Sequence, residues 1–158
     1  MLERIFGPPV LRAAQLTPHE FEALRGAVGY VGSRLAREQL GRREEEAEFS
    51  DAMTLLTLLA RFQAEVDPAA PRVRLLADHE LHAVCAALVW AAGDLERYAA
   101  HLRSWQSWSV EDQDVRDWLV GNFPDAREDA GRAESTALLL RMVWLTLREQ
   151  HRTWRQGV

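Results

Sequence analysis

The sequence predicts an all-α protein, a four-helix bundle built from two related helical hairpins with a short extra helix. Three observations carry that expectation. Apolar residues recur every three or four positions over four long stretches, the period of an amphipathic helix. Proline- and glycine-bearing breaks, Asp67-Pro68-Ala69-Ala70-Pro71 and Gly121-Asn122-Phe123-Pro124, separate those stretches. Finally, Leu76–Leu102 echoes Leu16–Arg37 at a constant offset of sixty. Leu16, His19, Glu20, Ala23 and Leu35 reappear identically as Leu76, His79, Glu80, Ala83 and Leu95. The apolar positions follow as Phe21/Leu81, Leu24/Val84, Val28/Leu88 and Val31/Ala91. An echo of this kind reads as an internal duplication.

Taken in order, Pro8-Pro9 is expected to open a brief helix to about Gln15, since proline suits a first turn. Thr17-Pro18-His19-Glu20 is a helix start, with Thr17 as N-cap, Pro18 at the first helical position and Glu20 closing a capping box. The face Phe21, Leu24, Val28, Val31, Leu35 then needs a helix, and Gly41 is placed to end it. Gly26, Gly29 and Gly32 lower helix propensity but keep one side slim, which permits a close neighbour.

A second helix is expected over about 42–66, acidic at its start and then strongly apolar through Phe49, Met53, Leu55, Leu56, Leu58, Leu59, Phe62 and Val66. The third spans about 79–103 with Asp78 as cap. A segment without counterpart in the first half, about 104–124, holds a short helix from Ser109 to about Val120. The last helix is expected from about Arg132 to Gln156, with Asp125 and Glu128 as capping residues and Gly131 as an interruption. Its Leu145–Gln150 overlies Leu58–Gln63 at an offset of eighty-seven, which leaves twenty-seven extra residues in the second hairpin. The whole of 1–158 is read as one domain: hairpin 1 over about 17–66, hairpin 2 over about 78–156 with its insertion. The two most apolar helices, the second and the last, are expected to form either the bundle's centre or a dimer surface.

Composition limits the function classes. The apolar fraction is 47%, the charged fraction 27% and the net charge −5, so the molecule as a whole does not attract nucleic acid or an anionic membrane. All nineteen basic residues are arginine, which excludes a lysine Schiff base or a P-loop lysine. Cys85 is the single cysteine, so no intramolecular disulfide forms. The N-terminus lacks a signal peptide's apolar core and no run reaches membrane-spanning length, so a cytoplasmic location is expected.

Four constellations could carry chemistry. Glu44, Glu45 and Glu48 share one turn, with Asp51 extending their face, and such carboxylates can hold Mg²⁺. The pattern resembles the EExxE element of the all-α nucleotide pyrophosphohydrolases, the MazG-like family. That family pairs it with an ExxD element, whose best counterpart here is Ala91-Ala92-Gly93-Asp94, with Ala91 in place of the glutamate. The resemblance implies a Mg²⁺-dependent hydrolase using Glu44, Glu45, Glu48 and Asp94. The alternative is a solvated acidic first turn paired with Arg42 and Arg43.

His79 and His82 share a helix face and could bind one metal, or simply sit exposed at a helix start. Trp105, Trp108, Trp118 and Phe123 crowd the insertion, where they could contact a partner or plug the bundle's open end. Arg148, Arg152 and Arg155 line one side of the last helix beside Trp154, a possible nucleic-acid face that also suits the negative end of a helix dipole.

From these, the expected function is a non-enzymatic interaction or regulatory module that binds a protein partner or forms a homodimer. Its contact surfaces would be the Trp105–Phe123 segment and the exposed part of the last helix. No cofactor is expected; Mg²⁺ belongs to the hydrolase alternative alone.

Overall fold

Thr17 starts the first long helix as its sequence requires. Its hydroxyl accepts the Glu20 N–H at 3.2 Å, and the Glu20 carboxylate accepts the Thr17 N–H at 2.9 Å. Two of the helix's orphan donors are thereby satisfied reciprocally. Thr17→Ala is expected to cost about 1 kcal/mol, read as a lower urea midpoint, while Thr17→Ser keeps most of the stability. An unchanged midpoint in the alanine variant would show that the box contributes nothing.

The computed structural model describes residues 11–39, 46–64, 73–104 and 110–156. Their order is β1 (Leu11–Gln15), α1 (Pro18–Gln39), α2 (Glu46–Ala64), β2 (Val73–Ala77), α3 (Asp78–Ser104), α4 (Val110–Asn122), a 3₁₀ turn (Pro124–Ala126) and α5 (Ala130–Gln156). The architecture is a helical bundle with one small ribbon. α1 packs along α2, and α3 along α5. The two hairpins meet through α1 and α3, and α4 closes one side against α1.

The ribbon departs from expectation. Residues 11–15 form a strand, not the end of a brief helix, and pair antiparallel with β2. Each segment is five residues long, too short to recover the cost of helix nucleation. Each also leads straight into a long helix, so side-by-side pairing satisfies their backbone groups where the helices begin. The register sets Leu11 against Ala77 and Gln15 against Val73, and thus Ala14 against Arg74, sixty residues on.

The echoed positions are matched in burial. Phe21, Leu24, Val28, Val31 and Leu35 are buried, as are Leu81, Val84, Leu88, Ala91 and Leu95; His19 and His79 are both exposed. The Glu80 carboxylate accepts the Ala77 N–H at 2.8 Å, as Glu20 accepts that of Thr17.

The centre of the bundle is α1 and α3. Residues 26–32 of α1 are all buried, and Ala87, Leu88, Ala91, Ala92 and Leu95 of α3 have no exposed surface. Of the two possibilities raised for the most apolar helices, a central position is therefore not the one adopted. Each of those helices keeps a side toward solvent, where Met53 of α2 and Leu138, Met142 and Leu145 of α5 are exposed. Small residues explain the arrangement, because a helix enclosed on all sides must let its neighbours approach closely. A Cβ on Gly26 would stand 2.7 Å from the Phe123 ring, and one on Gly32 would stand 3.3 Å from Leu55.

Other boundaries shift for local reasons. α5 begins at Ala130 because Asp129, not Asp125 with Glu128, caps it: its carboxylate accepts the Arg132 N–H at 3.0 Å. Gly131 lies inside the first turn and does not interrupt the helix. α4 runs two residues beyond Val120, until the Phe123-Pro124 step turns the chain into the 3₁₀ segment. Gly41, the expected end of α1, lies outside the described residues.

Candidate functional site

Three features of the fold bring chemistry-bearing side chains together. The first lies between α1 and α3. Asp94 is 4% exposed and accepts from three donors: the Tyr30 hydroxyl and the Arg34 guanidinium on Oδ2, and Arg97 on Oδ1 at 2.5 Å. Arg34 also reaches the Tyr30 oxygen at 3.2 Å and lies 5.0 Å from the centre of the Trp90 ring. Burial raises the Tyr30 pKa well above its ordinary value, and the hydrogen bond to Asp94 adds to the rise. A carboxylate held by two guanidinium groups and a phenol is neutralised within the protein. It would have to surrender these partners to ligate Mg²⁺.

The second feature is a cleft of about 370 Å³ where the start of α1, the 3₁₀ turn and the start of α5 meet. Ala23, Phe123, Pro124 and Leu139 supply its apolar surface. His19 and Glu22 come from α1, Asn122 and Asp125 from the connecting segment, and Arg132, Ser135 and Thr136 from α5. The turn is held in place from inside the bundle: Glu128 takes a positive φ of 55°, and its N–H donates to the buried Tyr98 hydroxyl at 2.7 Å.

The third feature is a row on the outside of α5. Leu138, Met142 and Leu145 are 60%, 53% and 55% exposed, at the four- and three-residue steps that keep one helix face. Ion pairs to α3 border the row: Arg141 with Glu96 at 2.7 Å, and Arg103 with Glu134. The Arg141 hydrogen bond holds the Glu96 carboxyl below its usual range. These pairs step by seven residues in opposite directions along the two helices. The next step sets Val89, 42% exposed, level with Arg148. The exposed row on α5 is thus bordered by charge on its α3 side, with Val89 exposed on α3 beyond it.

The expected site residues distribute unevenly over this fold. Phe123 is 6% exposed, packs into the slot that Gly26 leaves and lines the cleft. Trp118 is half-buried, with the Arg37 guanidinium 4.9 Å from the centre of its ring. Trp105 and Trp108 lie outside the described residues, as do Glu44, Glu45 and the side chain of Glu48. His79 and His82 are exposed on the first turns of α3. Among the described residues no three His, Cys, Asp or Glu side chains converge on a common point. Arg148 is exposed and lies 5.1 Å from the centre of the Trp144 ring, while the side chains of Arg152 and Arg155 lie outside the described set.

Burial raises the Cys85 thiol pKa to about 11, which disfavours the thiolate at neutral pH. Among the described residues no helix is long and apolar enough to cross a membrane. Comparison with protein-family models, with curated proteins and with solved structures gives no match.

Two features escaped the sequence. Arg34 carries a charge into an otherwise apolar helix face, and its partner is set only by the meeting of α1 with α3. The cleft gathers residues from three separated segments. A signal for the row was present, since Leu138, Met142 and Leu145 lie beside the Ala137, Leu140, Val143, Leu147 face that α5 buries. The excess width of the apolar stripe was the clue.

Proposed function

We propose that this protein is a helical module that works by association through α5, and that its first partner is a second copy of itself. The exposed row Leu138, Met142, Leu145 carries the reading. It is self-complementary about its middle. When two copies of α5 cross antiparallel at Met142, Leu138 of one faces Leu145 of the other. At each end Glu134 of one copy then lies level with Arg148 and Glu149 of the other. Contacts of this reciprocal kind are what a two-fold interface needs. A stable dimer covers roughly 800 Å² on each partner, more than three side chains provide. The contact therefore extends over Val89 and the bordering ion pairs, along about 20 Å of helix from residue 134 to 148.

The repeat belongs to the same reading. We infer that the two halves, β1-α1-α2 and β2-α3 with α5, descend from one ancestral unit. The recurring strand-to-helix order, the matched burial at an offset of sixty and the contact of Ala14 with Arg74 support this.

Sedimentation equilibrium from micromolar to millimolar protein tests the association. The wild type is expected to approach twice the monomer mass, and Met142→Glu to stay monomeric with its helical spectrum intact. Placing a carboxylate at the centre of an apolar contact costs several kcal/mol, on the order of 2–4. A wild type that is monomeric throughout would sink self-association. A dimer that survives Met142→Glu would move it to another surface.

A further inference from the structure

We propose that the cleft between α1, the 3₁₀ turn and α5 binds a small zwitterion with an apolar body, of the free amino-acid class. Its volume of about 370 Å³ lies within the size range of ligand clefts and suits a molecule far smaller than a nucleotide-sized cofactor. The apolar surface comes from Phe123, Ala23 and Leu139; Phe123 and Ala23 are themselves held in the core and present a fixed wall. The charged groups around it carry both signs. α1 contributes the Glu22 carboxylate beside the His19 imidazole, the turn contributes the Asp125 carboxylate, and α5 contributes the Arg132 guanidinium with the hydroxyls of Ser135 and Thr136.

A ligand bearing an ammonium and a carboxylate satisfies both sides at once, and its side chain covers the apolar wall between them. A simple anion or cation would satisfy one side and leave the opposite charge beside it.

Two further observations favour a ligand site over an incidental dent. Two residues beyond the turn that walls the cleft, Glu128 takes a positive φ and its N–H is pinned by the buried Tyr98 hydroxyl, so the turn is braced from the core before binding. The charges are also available. Among the described residues Glu22 pairs with Arg25, and Arg132 with Asp129 at 3.6 Å. Both are exposed pairs, which exchange partners at little cost. The cleft occupies a different side of α5 from the Leu138, Met142, Leu145 row, so this inference stands apart from self-association.

The test is a titration of the ¹⁵N-labelled full chain, followed by NMR, with leucine, methionine and phenylalanine, each separately to millimolar concentration. Phenethylamine and 3-phenylpropionate serve as half-charged analogues of phenylalanine. At least one of the three amino acids is expected to shift the amides of Ala23, Phe123 and Leu139. In the phenylalanine series each analogue, or for another responding amino acid its own amine and acid analogues, is expected to bind at least about tenfold more weakly. Glu22→Gln and Arg132→Gln, both at exposed positions, are each expected to weaken the amino acid by a similar factor while the amide spectrum stays folded. Absence of shifts at the cleft with all three amino acids would overturn the proposal. So would an acid analogue that binds as tightly as its amino acid and ignores Glu22→Gln, since the cleft would then be a plain anion site.

Discussion

Asp94→Asn is expected to lower the stability of the fold by about 3 kcal/mol. Removing one partner of a buried ion pair typically costs 3–5 kcal/mol, because the other charge remains without compensation. The lower end applies here, since the Arg34 side chain keeps 21% of its surface exposed and can draw in water. Equilibrium unfolding in urea reads the change directly. A loss under about 1 kcal/mol would mean that Arg34 is served by its remaining contacts alone. Tyr30→Phe keeps the ring and deletes the hydroxyl's two hydrogen bonds, one donated to Asp94 and one accepted from Arg34, so a smaller loss of about 1–2 kcal/mol is expected.

The same tyrosine makes the fold sensitive to alkali. Its pKa is raised in the folded protein, so the native state holds the phenolic proton more tightly than the unfolded chain does. That contribution is fully present below the unfolded value near 10 and is lost as pH rises from there toward the higher folded value. Stability measured from pH 9 upward should fall less steeply in Tyr30→Phe than in the wild type. Parallel curves would show that Tyr30 does not titrate differently in the two states.

Gly26→Ala and Gly93→Ala are expected to act in opposite directions although both lie inside long helices. Alanine in place of an interior helical glycine favours the helix by about 0.5–1 kcal/mol. At Gly93 nothing stands within 4 Å of the added Cβ, so that gain is kept and the unfolding midpoint rises. At Gly26 the added atom meets the Phe123 ring at 2.7 Å and the Asn122 carbonyl oxygen at 2.9 Å. One neighbour is a buried ring and the other is backbone, so neither yields easily. Overpacking costs about 1–3 kcal/mol and exceeds the helical gain. Two stabilised variants would show that α4 can withdraw from α1, and the fixed cleft wall at Phe123 would lose its basis.

The local grammar of the chain was legible where chemistry acts over one turn. The Thr17–Glu20 box, the apolar face of α1 and the slim side at its glycines are all short-range patterns, and each has its structural counterpart. Longer-range features were not. Average apolarity pointed to the second and last helices as a possible centre, yet small residues decide which helices can be enclosed on all sides. That rule selected α1 and α3. Phe123 was left between a partner contact and a plug of the bundle's end because nothing nearby in sequence reveals Gly26, nearly a hundred residues earlier, as its slot. The strands escaped because five residues such as Leu11–Gln15 have no strong preference of their own, and their pairing is imposed by the helices that follow. Asp94 was legible as a carboxylate of interest, but its role depends on Arg34, which only tertiary contact discloses.

The Arg34–Asp94 contact also bears on how the chain can assemble. The two residues hold corresponding places in the two halves, sixty apart, and they touch. If two copies of the first half docked in that manner, Arg34 would face Arg34 in a part-buried contact. Two second halves would set Asp94 against Asp94. Like charges at such a point oppose the encounter, whereas the halves of one chain attract. The opposed charges thus favour docking of the two halves of one chain over docking of two copies of either half.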